Sequence, residues 1–201
     1  ATDTARAAIE HLRSINVDLA LITGDNAAIA TAIADNAGLF TERVLTGHDI
    51  DGMDDATLTE AAKVVRVFAA VDPLQKERIV LALRMLDHTV GFLGDGINDA
   101  AALRVADVGI AVDTGADVAK QAAALVILDK NLDVIADGIQ LGRRTFANTL
   151  KYVRITISAN FGNMLSLVIA SIMLPFIPML PAQILLLNLL SDGPALAIEI
   201  G

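Results

Sequence analysis

The sequence predicts an α/β domain built on a parallel sheet with helices on both faces, followed by a transmembrane α-helical hairpin. Three observations lead there. Through residues 1–131, short apolar runs of strand length alternate with helical patterns. Several of those runs end in tight polar turns: Thr23-Gly24-Asp25, Asp72-Pro73, Gly94-Asp95-Gly96 and Asp113-Thr114-Gly115. Finally, Ile155 to Leu174 is a run of twenty residues without a charged side chain, enough to cross roughly 30 Å as a helix.

Taken in order, residues 5–14 have helical spacing and residues 17–22 form an apolar run of strand length. Thr23-Gly24-Asp25-Asn26 turns the chain into an Ala-rich helix over 27–37, closed by Gly38. Residues 49–60 mimic a calcium loop, with Asp49, Asp51 and Glu60 at the first, third and twelfth positions. The sixth position, where the sharp turn needs Gly, holds Asp54, and the fifth holds Met53. The stretch therefore reads as a solvated acidic loop entering a helix over 56–65. Residues 67–71 make a short strand, and 74–86 an amphipathic helix. Lys76 sits in that helix's first turn, where a cation opposes the helix dipole. An anionic ligand at the neighbouring strand ends would account for it; so would simple solvation beside Glu77.

The chain is organised around the next stretch. Residues 89–93 read as a buried strand, Gly94-Asp95-Gly96 as a tight turn, and Asn98 and Asp99 as openers of a helix over 100–106. Carboxylates are thereby placed at the carboxyl end of a strand, beside a helix N-terminus, where open α/β sheets bind ligands and backbone N–H groups attract phosphate. Two Asp there suit Mg²⁺, which takes oxygen ligands and bridges to phosphate. The Asp-Gly pair serves ordinary surface turns equally well. Thr23-Gly24-Asp25 repeats the arrangement, and the two turns support each other. A strand over 108–112, a turn at Asp113-Thr114-Gly115, a helix over 116–123 and a strand over 125–128 complete the alternation.

Leu132 begins a long helical pattern carrying Arg143, Arg144, Lys151 and Arg154, after which charge disappears. Pro175, Pro178 and Pro181 mark an apolar turn, and a second apolar run continues to Ile198. The basic cluster ahead of the hairpin places the α/β domain on the cytoplasmic side. Asn160 and Asn163 share a helix face, as do Asn188, Ser191 and Asp192. Asn and Ser pairs can simply hold helices together. Asp192 is the only ionisable residue between Ile155 and Ile198, and an acid within a span lines an ion path as a rule. Gly193-Pro194 directly after it interrupts the helix and frees carbonyls for a cation. The expected organisation is an α/β domain over 1–131, a helical stalk over 132–154 and a membrane hairpin over 155–201.

Composition agrees. Hydrophobic residues make up 54% of the 201 residues and the mean hydropathy is +0.58, too apolar for an ordinary soluble domain. With a formal net charge of −9, a nucleic-acid surface is not expected. Absence of Cys excludes disulfides and thiolate metal sites. The start, Ala1-Thr2-Asp3-Thr4-Ala5-Arg6, has neither an initiating Met nor the apolar core of a signal peptide, so the chain is expected to be a fragment.

Thr23-Gly24-Asp25, Asp72-Pro73 with Lys76, and Gly94-Asp95-Gly96-Ile97-Asn98-Asp99 occur in the order seen in P-type cation-transporting ATPases, whose phosphorylation domain has the haloacid-dehalogenase-like fold. Ser158-Ala159-Asn160-Phe161-Gly162-Asn163 and Asn188-Leu189-Leu190-Ser191-Asp192-Gly193 resemble that family's fifth and sixth transmembrane helices. The resemblance implies that Thr23, Gly24 and Asp25 contact a phosphoryl group and position the hydrolytic machinery. It implies that Lys76 neutralises phosphoryl charge, that Asn98 bonds phosphoryl oxygens, and that Asp95, supported by Asp99, holds catalytic Mg²⁺. Asn160, Asn163, Asn188, Ser191 and Asp192 would take the transported cation. ATP would be the substrate, attacked by an Asp carboxylate to give an aspartyl-phosphate that is then hydrolysed. Partners would be ATP, the cation, membrane lipid and the missing remainder of the polypeptide, in a bacterial cell membrane.

The chain also departs from the family pattern. It contains no Asp-Lys-Thr-Gly-Thr motif with its nucleophilic Asp, no nucleotide-binding insertion, and no actuator domain, and is expected to be inactive alone. Ala100-Ala101 stands where the family has Ala-Pro. The short link over 41–67, Arg143-Arg144-Thr145-Phe146-Ala147-Asn148, and Leu174-Pro175-Phe176-Ile177-Pro178-Met179-Leu180-Pro181 most resemble magnesium-transporting bacterial members. Calcium pumps carry a Glu where this chain has Asn163, and proton pumps remain an alternative. A membrane-anchored phosphatase and a non-catalytic relic are the rival classes.

Overall fold

A computed structural model describes residues 2–39, 43–128, 132–176, 179–180, 182–187 and 189–190. The chain divides into two compact units, Ala1–Asp137 and Gly138–Gly201. In the first, α1 (Thr2–Ser14) leads to β1 (Leu21–Ile22) and α2 (Ala27–Asn36). Then come β2 (Val44–Thr46), α3 (Gly47–Asp51), α4 (Asp55–Ala62), β3 (Val67–Ala69) and α5 (Pro73–Arg84). The unit ends with β4 (Gly91–Gly94), a 3-10 turn (Ile97–Asp99), α6 (Ala100–Val105), β5 (Val108–Val112), α7 (Asp117–Ala122) and β6 (Leu125–Ile127).

All strand pairs are parallel, but the strands form two sheets of three, ordered β1-β3-β2 and β4-β5-β6, where the alternation suggested one. Crossover handedness decides which faces the helices cover. Parallel crossovers are right-handed, so reversing the direction of travel across a sheet moves the connecting helix to the opposite face. The chain steps outward from β1 to β2 through α2 and back to β3 through α3 and α4, which puts these helices on opposite faces. Strand β3 shows the result. Phe68 is buried with Leu45, Ile50, Leu58 and Ile79, whereas Val67 and Ala69 are buried with Ile9, Ala30 and Ala34.

In the second sheet the chain moves one way, β4 to β5 to β6, so α6 and α7 share a face. Phe92 packs there with Leu103, Ala119 and Val80 of α5. The opposite face, with Leu93, Ile110 and Leu125 in register, stays half-exposed. Among the described residues, helices thus cover both faces of the first sheet and one face of the second.

Local chemistry sets the helix starts. Asn26 caps α2 by accepting the Ile29 N–H (3.0 Å). Asp72 and Gln75 form a capping box on α5, with Pro73 at its first position. The acidic stretch over 49–60 is more ordered than a solvated loop. Asp49 makes a capping box with Thr46, Asp54 caps Thr57, and Asp55 pairs with Arg78 (2.9 Å). Hydrogen bonds from Thr46 hold the Asp49 carboxyl below its ordinary value, and those from Thr57 do the same for Asp54. Strand β2 and helix α3 are too short to show a period, which is why they were invisible in the sequence.

At the far end of the sheet from these turns, Arg84 joins α5 to the entry of β4 and β5. Its guanidinium reaches Asp107 (2.8 Å) and the Val105 carbonyl (2.8 Å), while Asp107 also accepts the Val90 N–H (2.9 Å). The Val90 N–H first, then Arg84, hold the Asp107 carboxyl below its ordinary value. A folded-state pKa below the unfolded one contributes stability at neutral pH that is lost as pH falls through the folded value. Asp107→Asn is therefore expected to melt below wild type at pH 7, and the gap should narrow as pH falls below about 4. Thermal melts in detergent at pH 7 and pH 3 check this; a gap independent of pH would refute it.

The second unit contains most of α8 (Asp133–Met173), a helix of 41 residues and so about 60 Å long. Its apolar stretch is long enough to cross a membrane, and Ile157, Phe161, Met164, Val168 and Ile172 are exposed along it. After the Pro175 turn the chain is helical again over 182–187.

Candidate functional site

Both motif turns fall at the carboxyl ends of parallel strands. After β1, the Thr23 hydroxyl donates to Asp25 Oδ2 (3.1 Å) and accepts the Asp25 N–H (3.1 Å), which closes the turn through Gly24. The β3–α5 loop ties this turn down. Val71 N–H donates to the Thr23 carbonyl (3.2 Å) and Ala70 N–H to the Asp25 carbonyl (2.6 Å). Ala70 adopts a left-handed backbone (φ +51°), which a residue with a Cβ rarely does. Such a conformation persists only where surrounding contacts hold it, and here it aims an N–H at Asp25. Nothing in the letters Ala69-Ala70-Val71 announced that role.

Lys76 lies on the first turn of α5, and the preceding side chain anchors that turn. Gln75 is buried, donates to the Gly47 carbonyl (3.1 Å) and Asp51 Oδ1 (2.6 Å), and accepts the Asp72 N–H (2.9 Å). The Lys76 ammonium meets Asp99 Oδ1 at 2.7 Å, with the two side chains only 13% and 11% exposed. This partner resolves the question of a cation in a first turn: it is Asp99, rather than bulk water beside Glu77.

The other oxygen of Asp99 organises the loop after β4. Its Oδ2 accepts the N–H groups of Asp95 (3.2 Å) and Gly96 (3.0 Å). Gly94 must lack a side chain, because a Cβ there would sit 2.6 Å from the Asp99 Cβ. Asp99 thus spends both oxygens on Lys76 and on the loop. Asp95 and Asn98 are left exposed on the turn, and no hydrogen bond or ion pair engages the Asp95 carboxylate among the described residues.

Asp95 and Asp99, on one turn, set two carboxylates against the single Lys76 ammonium, a balance that leaves room for a cation. No three His, Asp or Glu side chains gather as a cage among the described residues. That donor set fits Mg²⁺, which is held by one or two carboxylates plus substrate phosphate and water, better than a cation needing an all-protein cage. Asp95 offers an exposed carboxylate with no hydrogen-bond or ion-pair partner among the described residues.

In the second unit, Asn160 and Asn163 lie one turn apart on α8. Together they line a cavity of about 280 Å³ with Met164, Leu167, Ile184 and Leu187. The candidate cation ligands Asn188, Ser191 and Asp192, and Gly193-Pro194, lie outside the described residues.

Family models for haloacid dehalogenase-like hydrolase match residues 1–107 and 77–139. The chain is 44% identical over 196 residues to "Magnesium-transporting ATPase, P-type 1" of Salmonella typhimurium, covering 98% of this chain and 22% of that protein. It is 36% identical over 197 residues to the "Calcium-transporting ATPase" of Bacillus subtilis, covering 96% and 22%. Among solved structures, a zinc-transporting PIB-type ATPase in the E2.Pi state matches with TM-score 0.69 and 26% identity, over 96% of this chain and 26% of that one. The chain spans about a fifth of the length of the curated relatives it matches.

Proposed function

Because the chain belongs to the haloacid dehalogenase-like hydrolase family, we propose that it works as part of an ATP-driven cation pump that cycles through an aspartyl-phosphate, and that the cation is Mg²⁺. The observation that carries this reading is the Asp95 carboxylate, which has no partner among the described residues, at the end of β4 where Asp99 and Lys76 brace its loop. The names of the magnesium-transporting relatives support the choice of ion.

In this reading, an Asp carboxylate elsewhere in the polypeptide attacks the γ-phosphorus of ATP, ADP leaves, and water later releases phosphate from the aspartyl-phosphate. Bound Mg²⁺ supplies charge neutralisation at the transferring phosphoryl oxygens. Asp95 holds that ion, and Asp99 supports the site by fixing the Asp95 loop. Lys76 is the ammonium that neutralises phosphoryl charge, Asn98 donates to phosphoryl oxygens, and Thr23 and Gly24 line the phosphoryl pocket with Asp25. The α/β part over 1–131 faces the cytoplasm of a bacterial cell, the stalk over 132–154 carries Arg143, Arg144, Lys151 and Arg154 to the membrane surface, and 155–201 spans the bilayer. Asn160 and Asn163, with Asn188, Ser191 and Asp192, form the cation path.

ATPase activity of the full-length protein in lipid, titrated separately with Ca²⁺ and with Mg²⁺ in excess over ATP, tests the choice of ion. Indifference to Ca²⁺, with a response to free Mg²⁺ beyond that needed for MgATP, is expected. Stimulation by micromolar Ca²⁺ would replace the magnesium reading with a calcium pump, and Asn163 would then be a neutral ligand in a calcium path. Asp192→Asn is expected to keep nucleotide binding and lose ion-dependent ATPase activity, because the charge that attracts the cation is gone. Normal ion-stimulated turnover in that variant would remove Asp192 from the path.

A further inference from the structure

The turn after β5 reaches across to the backbone of Asp95. From this geometry we infer that Gly115 is a positioning residue for the Asp95 carboxylate, an inference that rests on reading Asp95 as the Mg²⁺ ligand. The Ala116 N–H donates to the Asp95 carbonyl (2.8 Å). On the other side, the Asp95 N–H is held by Asp99 Oδ2 (3.2 Å). Both backbone polar groups of Asp95 are therefore clamped, one by each neighbouring turn, while its carboxylate stays free to bind.

The clamp works only if the turn lies flat against Asp95. A Cβ on Gly115 would sit 2.9 Å from the Asp95 carbonyl oxygen, 3.2 Å from the Asp95 Cα and 3.0 Å from the Val112 carbonyl oxygen. All three are backbone atoms and none can swing aside as a side chain would. Gly115 is not among the residues with positive φ, so the position demands space and not a left-handed conformation. The turn itself is anchored and cannot simply retreat. Gly115 N–H bonds the Val112 carbonyl (2.9 Å), Asp113 N–H bonds the Ile127 carbonyl (3.0 Å) of β6, and Lys120 Nζ on α7 bonds the Asp113 carbonyl (3.2 Å). An added methyl must then displace Asp95. In the sequence this turn looked like one more strand-end loop; its contact with Asp95 is what distinguishes it.

The test is Mn²⁺ binding, used as a paramagnetic stand-in for Mg²⁺ and followed by electron paramagnetic resonance on the full-length protein in detergent. Asp95→Asn defines the site as the Mn²⁺ that it removes. Gly115→Ala is expected to weaken that Mn²⁺ about tenfold with metal-free ATP affinity unchanged, as misplacement of a site group carries a steep cost, and to lower the melting temperature because the added methyl is overpacked. Ala116→Pro is the second variant. Its φ of −62° suits a proline ring, but the N–H to Asp95 is gone and the ring Cδ, standing where that hydrogen pointed, pushes the Asp95 carbonyl away. It should weaken the same Mn²⁺, and it keeps the inference testable if Gly115→Ala does not fold. Wild-type Mn²⁺ affinity in a folded Gly115→Ala or Ala116→Pro protein, with the site lost in Asp95→Asn, would overturn the positioning role and leave the metal reading intact. Wild-type affinity in Asp95→Asn would overturn the metal reading itself, and the positioning role with it.

Discussion

Asp99→Ala is expected to cost about 3 kcal/mol of stability, because it breaks a mostly buried ion pair by removing one partner. In a unit of this size that lowers the melting temperature by roughly 6–12 °C. Two separate losses contribute. The Lys76 ammonium is left desolvated without a counter-charge, and the N–H groups of Asp95 and Gly96 lose their acceptor. Turnover of the full-length protein should be lost as well, since the loop that carries Asp95 is no longer braced. The two losses can be separated. Asp99→Asn retains a carbonyl oxygen for the loop but has no charge for Lys76, so it should melt between wild type and Asp99→Ala. Adding Lys76→Met to Asp99→Asn removes the orphaned charge and should recover part of the lost melting temperature. Strictly additive melting shifts in the double variant would show that the ion pair is not the cause.

The strand ends and the turns that follow them were legible in the sequence because they rest on short-range chemistry. Val108–Val112 is a continuous apolar run between Asp107 and Asp113, and the strand keeps those bounds. Asp72-Pro73 marks the start of α5 through a cap and a fixed φ, both properties of neighbouring residues. What could not be read depends on partners far apart in the chain. Val44-Leu45-Thr46 is a strand because it pairs with β3, more than twenty residues on, and three residues show no period. Whether helices cover one face of a sheet or two follows from strand order, which no local pattern carries. At the site, the motifs located Thr23, Asp25, Lys76, Asp95 and Asp99 at strand ends and helix starts. Their division of labour came only from the geometry: Lys76 and one oxygen of Asp99 pair with each other, the second oxygen holds the loop, and Asp95 is the carboxylate left over.

That division makes Asp95→Asn the opposite of Asp99→Ala. The Asp95 side chain is exposed and engages no described neighbour, so its change to Asn should leave the melting temperature close to wild type. The backbone contacts to Asp99 and to Ala116 do not involve the side chain and should persist. The chemistry, by contrast, should stop. An amide offers one neutral oxygen where a hard divalent cation needs a charged one, and the charge that builds at the phosphoryl oxygens then goes uncompensated in a site already rich in carboxylates. Phosphoenzyme turnover in the full-length protein is therefore expected to fall by a factor of about 10³ or more, in line with losses of single electrostatic groups at transferring centres. Phosphoenzyme formation from labelled ATP and thermal melts on the same preparation check both halves of the expectation. A folded Asp95→Asn protein that turns over normally would take Asp95 out of the reaction. A large drop in melting temperature would mean that its carboxylate helps hold the fold after all.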